Sequence, residues 1–227
     1  MSSWPPPPPH ARSSAWLSPP DLLVLHAVRV TGVANDAAVG RRTGVDLHTV
    51  CELLRDHEAY GWVTLVEFAD IQGWTLTERG RVEDSRRLAE ELDEAGARAA
   101  VAGTHQGFTP LNARLVRACT DWQLRPAGND RLAVNDHGDA QWDVCVLDEL
   151  SALALDLRRM VYGLATTLAR FGGYDERFSS ALARARAGHK QWVAGVGLDS
   201  CHAVWMKLHE DLLSTLGIAR DAESQRK

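Results

Sequence analysis

No lysine occurs in the first 90 residues, and the nine arginines there are outnumbered by twelve Asp and Glu. The whole chain carries a formal charge of −5. Sequence-independent affinity for nucleic acid comes from Lys and Arg displacing counterions from phosphates. A broad cationic surface is therefore excluded, and any DNA contact has to come from a few arginines gathered on one face. No run of about 18 apolar residues is present, so no segment reads as a membrane-spanning helix. The opening stretch MSSWPPPPPHARSS lacks the apolar centre of a secretory signal, which makes the cytoplasm the expected compartment. Cys51, Cys119, Cys145 and Cys201 form no CxxC pair and have no zinc-site spacing, so they read as buried thiols in a reducing compartment. GxSxG, HExxH and phosphate-loop motifs are also missing. Nothing in the spacing of four cysteines and nine histidines selects a nucleophile and its base. The expectation is a protein that is not an enzyme and needs no cofactor or metal.

What is present fits a soluble globular chain, with 45% hydrophobic and 24% charged residues over 227 positions. The expected fold class is mainly α: an N-terminal winged helix-turn-helix with a two-stranded wing, followed by an all-α helical bundle. Residues 1–17 read as a disordered Pro-rich tail, since five consecutive prolines favour an extended conformation. Residues 18–95 read as the winged helix plus a connector helix, 96–218 as the helical domain, and 219–227 as a polar tail.

The winged-helix reading rests on the order of elements. Ser18 caps a first helix that Pro19 and Pro20 suit, and Gly32 ends it. Asn35 to Arg42 is a short second helix, and Thr43-Gly44 a turn. Asp46 caps a third helix, in which Leu47, Val50, Leu53, Leu54 and Ala59 supply the core-facing positions. Trp62 to Phe68 and the stretch around Gly73-Trp74-Thr75-Leu76 are two strands, with Trp62 and Trp74 covering the helical core. Thr77 then caps the connector.

Within residues 20–95 the stretches VGRRTGVDLHTVCELLRDHEAYGWV and GWTLTERGR resemble the MarR-type winged-helix regulators. The resemblance implies a recognition helix at about Asp46 to Tyr60 and a wing at 66–73. The C-terminal part is similar to actinobacterial regulators of the same layout, which implies architecture and no ligand.

On this frame the candidate DNA contacts are Arg41 and Arg42 at the end of the second helix, His48 and Thr49 in the first turn of the third, Arg55 further along it, and Gln72 at the wing. The wing tip, Phe68 to Gly73, carries no Lys or Arg. Two readings stay open. In one, a homodimer doubles the small basic patch on two-fold double-stranded DNA. In the other, the acidic recognition helix docks a partner protein without binding DNA.

Beyond residue 96 a helix is expected from Thr109-Pro110 to Trp122, then a loop rich in turn formers, a long helix from Ala140 to Phe171, another from Tyr174 to about Val193, and a last helix capped by Asp199 or Ser200 and ended by Gly217. Asp139 is the expected cap of the long helix. The last helix is apolar around most of its circumference, which places it centrally. Trp122, Trp142, His202, Met206 and His209 are candidate walls for a small-molecule effector pocket. His202 and His209 stand about two turns, roughly 10 Å, apart, too far to share one metal ion.

Overall fold

The computed structural model describes residues 15–68, 71–127 and 130–219. Residues 1–14 of the expected tail, Ala69 and Asp70 of the wing tip, and 220–227 of the polar tail lie outside the described residues. The architecture is mainly α, a winged helix followed by a helical region.

The first unit runs α1 (Pro20–Thr31), α2 (Asp36–Thr43), α3 (Leu47–Ala59), β1 (Val63–Phe68) and β2 (Ile71–Leu76). The caps are local and chemical. The Asn35 side chain accepts from Ala38 N, and Asp46 accepts from Thr49 N, so orphan donors at both helix starts are satisfied. Gly44 ends α2 in the left-handed conformation. Ser18 does not cap α1. Pro19 holds that place without a side-chain bond, because the Ser18 hydroxyl is turned to Glu91. In α3 the buried positions are Val50, Leu54 and His57, whereas Leu47 is 54% exposed and Ala59 is exposed. His57 takes the inward position expected for Ala59, and its Nε2 lies 3.1 Å from the Asp21 carbonyl to which it donates.

Strands β1 and β2 pair antiparallel, Val63 with Leu76 and Leu65 with Trp74. Ala34 adds an isolated bridge to Trp74. This brings backbone so close that a Cβ on Gly73 would lie 2.8 Å from the Ala34 carbonyl carbon. Trp62 and Trp74 both pack on the core of Val24, Leu25, Val28, Val39, Val50 and Leu54. Trp74 Nε1 also donates to Asp36 at 2.6 Å, tying the wing to the start of α2.

Helix α4 (Glu78–Glu94) follows, capped by Thr77. Its Gly80 sits against the backbone just before β1: a Cβ there would lie 1.9 Å from the Trp62 carbonyl oxygen. Arg87 of α4 stacks on Trp62 and pairs with Asp21 of α1 at 2.6 Å. The connector is thus fastened along the winged helix.

The second unit contains α5 (Arg98–Gln123), β3 (Leu124–Ala127), β4 (Asp130–Val134), α6 (Ala140–Ala165), a 3-10 turn at Ala169–Phe171, α7 (Tyr174–Arg186), α8 (Gln191–Ala194) and α9 (Cys201–Leu216). Its core joins Phe108 and Leu115 of α5, Leu150 and Leu157 of α6, Phe178 of α7, and Trp205 and Leu208 of α9. Asp139 and Ser200 cap α6 and α9, and Gly217 ends α9.

Several expectations are corrected here, among them the helix expected from Tyr174 to about Val193, which stops at Arg186 as α7, with Gln191–Ala194 a separate short helix. Helix α5 starts at Arg98, not at Thr109, and holds Pro110 in its interior; the Thr109 hydroxyl donates to the His105 carbonyl beside the ring that lacks a donor. The segment expected as a loop forms a hairpin, with Leu124 opposite Val134, tied down by Asn135 Nδ2 donating to the Trp122 carbonyl at 3.0 Å. Helix α6 stops at Ala165, six residues before Phe171. The reason for the early stop is a strand-like contact: Trp16 N donates to the Thr167 carbonyl and Ala169 N to the Trp16 carbonyl. Trp16, expected in the tail, is thereby docked on the second unit and packs against its core.

Candidate nucleic-acid interface and the buried ion cluster

The candidate DNA residues divide. His48 projects from the first turn of α3 with 84% of its side chain exposed, 3.3 Å from Glu52 one turn on. The Thr49 hydroxyl is engaged with Asp46 at 2.6 Å as part of the cap. Arg41, Arg55 and Gln72 are exposed. Arg55 is flanked on α3 by Glu52, Asp56 and Glu58, all exposed. Arg42 is the correction. Its guanidinium is turned away from the helix-turn-helix surface, with 11% of the side chain exposed, and bonds to the Tyr174 hydroxyl and to Asp211. Of the three candidate arginines, Arg41 and Arg55 remain exposed.

The expected effector walls do not meet. Trp122 stacks on His137 with ring centroids 4.6 Å apart, and Trp142 Nε1 donates to the Asp121 carbonyl. His209 lies instead against Phe108, with centroids 5.1 Å apart. Phe108 and Trp122 are fourteen residues apart on α5, about 21 Å along the helix. His202 and Met206 are half-buried on α9. Burial holds the His202 imidazole below the usual histidine range. Trp122 and His209 thus lie against opposite ends of α5.

Where Arg42 points, the two units are joined by a cluster of ionised groups. Its centre is Asp211 of α9, with 1% of its side chain exposed. It accepts from His26 Nε2 of α1 at 3.0 Å, from the Tyr174 hydroxyl of α7 at 2.7 Å, from Arg42 Nη2 at 3.3 Å, and from Arg170 Nη1. His26 Nδ1 faces Asp84 of α4 at 3.2 Å. Arg29 of α1 reaches Asp84 at 3.0 Å and Glu210 of α9 at 3.3 Å. Arg170, in the 3-10 turn, spans Asp211, Glu91 of α4 and the Thr215 hydroxyl with its three nitrogens.

Both ring nitrogens of His26 face carboxylates, an arrangement that only the imidazolium satisfies with two donors. Burial works against that charge, but Asp84 and Asp211 outweigh it and raise the His26 pKa above its ordinary value. Burial likewise opposes ionisation of Asp211 and Asp84; Arg170 and His26 at the first, His26 and Arg29 at the second, hold both carboxyls well below the usual range. With His26 charged, the cations His26, Arg29, Arg42 and Arg170 balance Asp84, Glu91, Asp211 and Glu210. A buried cluster of this kind adds little net stability over apolar packing. It does fix which side chains meet, and removing one member leaves the others uncompensated.

Sequence reasoning missed this cluster because its members are isolated polar residues on apolar helix faces. The available signal was Asp211 just before the apolar pair Leu212-Leu213 of a mostly buried helix, and His26 within the apolar run of α1. Among the described residues no group of three or more His, Cys, Asp and Glu converges in a way that could hold a metal ion. No described helix is long and apolar enough to cross a membrane. Comparison with family models, with curated proteins and with solved structures finds no match to the chain.

Proposed function

We propose that the protein is a DNA-binding transcriptional regulator of the MarR-like winged-helix kind, acting as a homodimer in the cytoplasm under the control of a small-molecule effector. The observation that carries this reading is the first turn of α3. Leu47 and His48 project from a capped helix start, with Arg41 on the preceding helix and Arg55 two turns on, both exposed. This is the surface that a helix-turn-helix offers to the major groove, where the first-turn side chains read base edges and the flanking cations touch phosphates. Leu47, exposed against the usual preference of leucine, suits apolar contact with a thymine methyl.

Regulation on this reading runs through the ion cluster. An effector that favours one packing of α9 against α1 and α4 changes the placement of α3 relative to its two-fold mate, provided it binds the two packings with different affinity.

The test is fluorescence anisotropy with duplex DNA from the protein's own upstream region, against random duplex, across a salt series. Specific binding that weakens with salt, and weakens further in Arg55→Ala, supports the reading. Absence of binding at low salt, with and without cell extract to supply effector, refutes it.

One observation favours a second reading, a winged helix that docks a partner protein. Asp46, Glu52, Asp56 and Glu58 stand exposed along α3, and Tyr60 and Leu65 are 57% and 47% exposed at its far end and on β1. A mixed acidic and apolar face of this kind meets a basic protein surface more readily than a phosphate backbone.

A further inference from the structure

Exposed apolar side chains are unevenly spread over the helices of the second unit. Among the described residues α6 shows three large ones, Val144, Leu155 and Tyr162, at 43%, 59% and 74% exposure. Helix α5 shows Val116 alone, and α7 and α9 show none. Cys145 and Ala152 of α6 are exposed as well. The opposite side of α6 already buries Leu150, Leu153, Leu157 and Leu164 in the core of the unit. An outward apolar strip on such a helix marks a second packing surface.

The exposed positions have the spacing of a coiled-coil seam. Cys145, Asp148, Ala152, Leu155, Arg159 and Tyr162 follow one another in steps of three, four, three, four and three, and all six are exposed. The steps are the same in either direction. A two-fold axis crossing α6 between Leu153 and Ala154 therefore lays the stripe of one copy on that of another in register. That axis falls within one residue of the middle of the 26-residue helix. In this register Leu155 meets the partner's Ala152, and Tyr162 meets the partner's Cys145. Asp148 meets the partner's Arg159.

Size and charge agree with that arrangement. A large side chain faces a small one at the centre, and opposite charges face one another on either side of it. Each contact occurs twice, so two ion pairs bracket the apolar middle. A parallel pairing would instead set Asp148 on Asp148 and Arg159 on Arg159, which is repulsive. The flank toward α5 carries Glu149 and Asp156, and Arg114 of the same chain holds both, at 2.7 and 3.4 Å. Its negative charge is therefore met before a second copy arrives. Asp148 and Arg159 keep 64% and 80% of their side chains exposed, beside Arg186 at 2.7 Å and Asp156 at 3.5 Å.

We infer that the outer face of α6 is the docking surface for a second copy of this chain, the two α6 helices lying antiparallel about a two-fold axis at Leu153-Ala154. The contact is isologous, so it closes at two copies and builds no filament. The inference deepens the homodimer of the proposed regulator by naming its surface, and it takes nothing from the DNA contacts of α3.

The test is sedimentation equilibrium of the full chain without DNA, in a concentration series reaching about 100 µM, well past a micromolar Kd. The expected result is a reversible equilibrium of monomer and dimer. Leu155→Glu, at a position already exposed, raises its Kd at least about tenfold. Asp148→Arg and Arg159→Asp each do the same, because each sets like charges against one another. The double variant Asp148→Arg with Arg159→Asp returns the Kd to within about threefold of the native value. It does so although the bond from Asp148 to Arg186 of its own chain is gone. Register is read by cross-linking. Tyr162→Cys, oxidised with diamide, gives an interchain disulfide between positions 145 and 162, and adding Cys145→Ser removes it. The native chain does not link, since Cys145 and the partner's Cys145 stand about 25 Å apart along the paired helices. A monomer at every concentration overturns the inference. So does a dimer that Leu155→Glu leaves intact, one that the charge exchange does not restore, or a link between two copies of position 145. A dimer that binds no DNA leaves the inference standing, and DNA binding by a monomer leaves the reading of α3 standing without its two-fold mate.

Discussion

His26 and Asp211, 185 positions apart, meet with Nε2 and Oδ1 separated by 3.0 Å, and through that contact the first helix of the winged helix is joined to the last helix of the bundle. The first consequence is thermodynamic. Asp211→Ala leaves Arg170 and His26 buried with half their compensation gone, and is expected to cost about 3–5 kcal/mol of unfolding free energy. Glu90→Ala, which removes one of the two carboxylate partners of the exposed Arg86 on α4, leaves the urea midpoint unchanged. Equal midpoints for the two variants would remove the cluster from any account of how the units are held.

The second consequence is a pH dependence with a definite sign. The His26 pKa is raised in the folded state, so its contribution is complete below the unfolded value of about 6.5 and is lost as pH rises through the folded value. Asp84 and Asp211 are lowered and contribute above their ordinary range, losing that contribution as pH falls. His57 and His202, both held low by burial, work against folding on the acid side. Urea unfolding between pH 6 and about 8, below the ordinary cysteine pKa of about 8.5, isolates the His26 part by difference: His57 and His202 contribute alike to both chains, so the stability of the native chain is expected to fall with pH relative to that of His26→Gln. Parallel slopes would mean that His26 keeps its ordinary proton affinity.

Gly80→Ala tests the contact between α4 and the Trp62 backbone. On helix propensity alone the change is favourable by about 1 kcal/mol. The added methyl, however, would stand 1.9 Å from the Trp62 carbonyl oxygen, so backbone has to move and the variant is expected to be destabilised. Thermal unfolding at or above the native midpoint would contradict the close approach.

On the proposed reading of α3, the salt dependence of DNA binding would follow from the outward charge. With Arg42 turned inside, Arg41 and Arg55 are the cations left on the helix-turn-helix face. The slope of log K against log salt is then expected to be about −2 per protomer, from roughly −0.9 per phosphate contacted. A slope several times steeper would require cations from elsewhere in the chain.

The local chemistry of the fold was legible in the sequence. Asp46, Thr77, Asp139 and Ser200 cap the helices that their positions suggest, and the alternation around Leu65 and Trp74 gives the wing. The failures have physical causes. Gly103 and Gly107 weaken the helical pattern ahead of Pro110, so the first three turns of α5 carry little signal. Leu132 and Val134 are 68% and 80% exposed, so the apolar side chains of β4 do not mark a buried face. The site was less legible than the fold. Arg42 looks like Arg41 in sequence, and only the arrival of Tyr174 and Asp211 from the far end of the chain distinguishes them.

The bond between Trp16 and residues 167–169 has a further consequence, in the order of biosynthesis. The winged helix leaves the ribosome first, yet the strand partner of its leading segment and the counter-ions of His26 and Arg42 are translated much later. At about 5–20 residues per second, the 185 residues between His26 and Asp211 take roughly 10–40 s to make. Through that interval the cationic side of α1 and α2 stays wet and open to whatever anion is at hand. The unit that is made earlier is thus completed by the one made later.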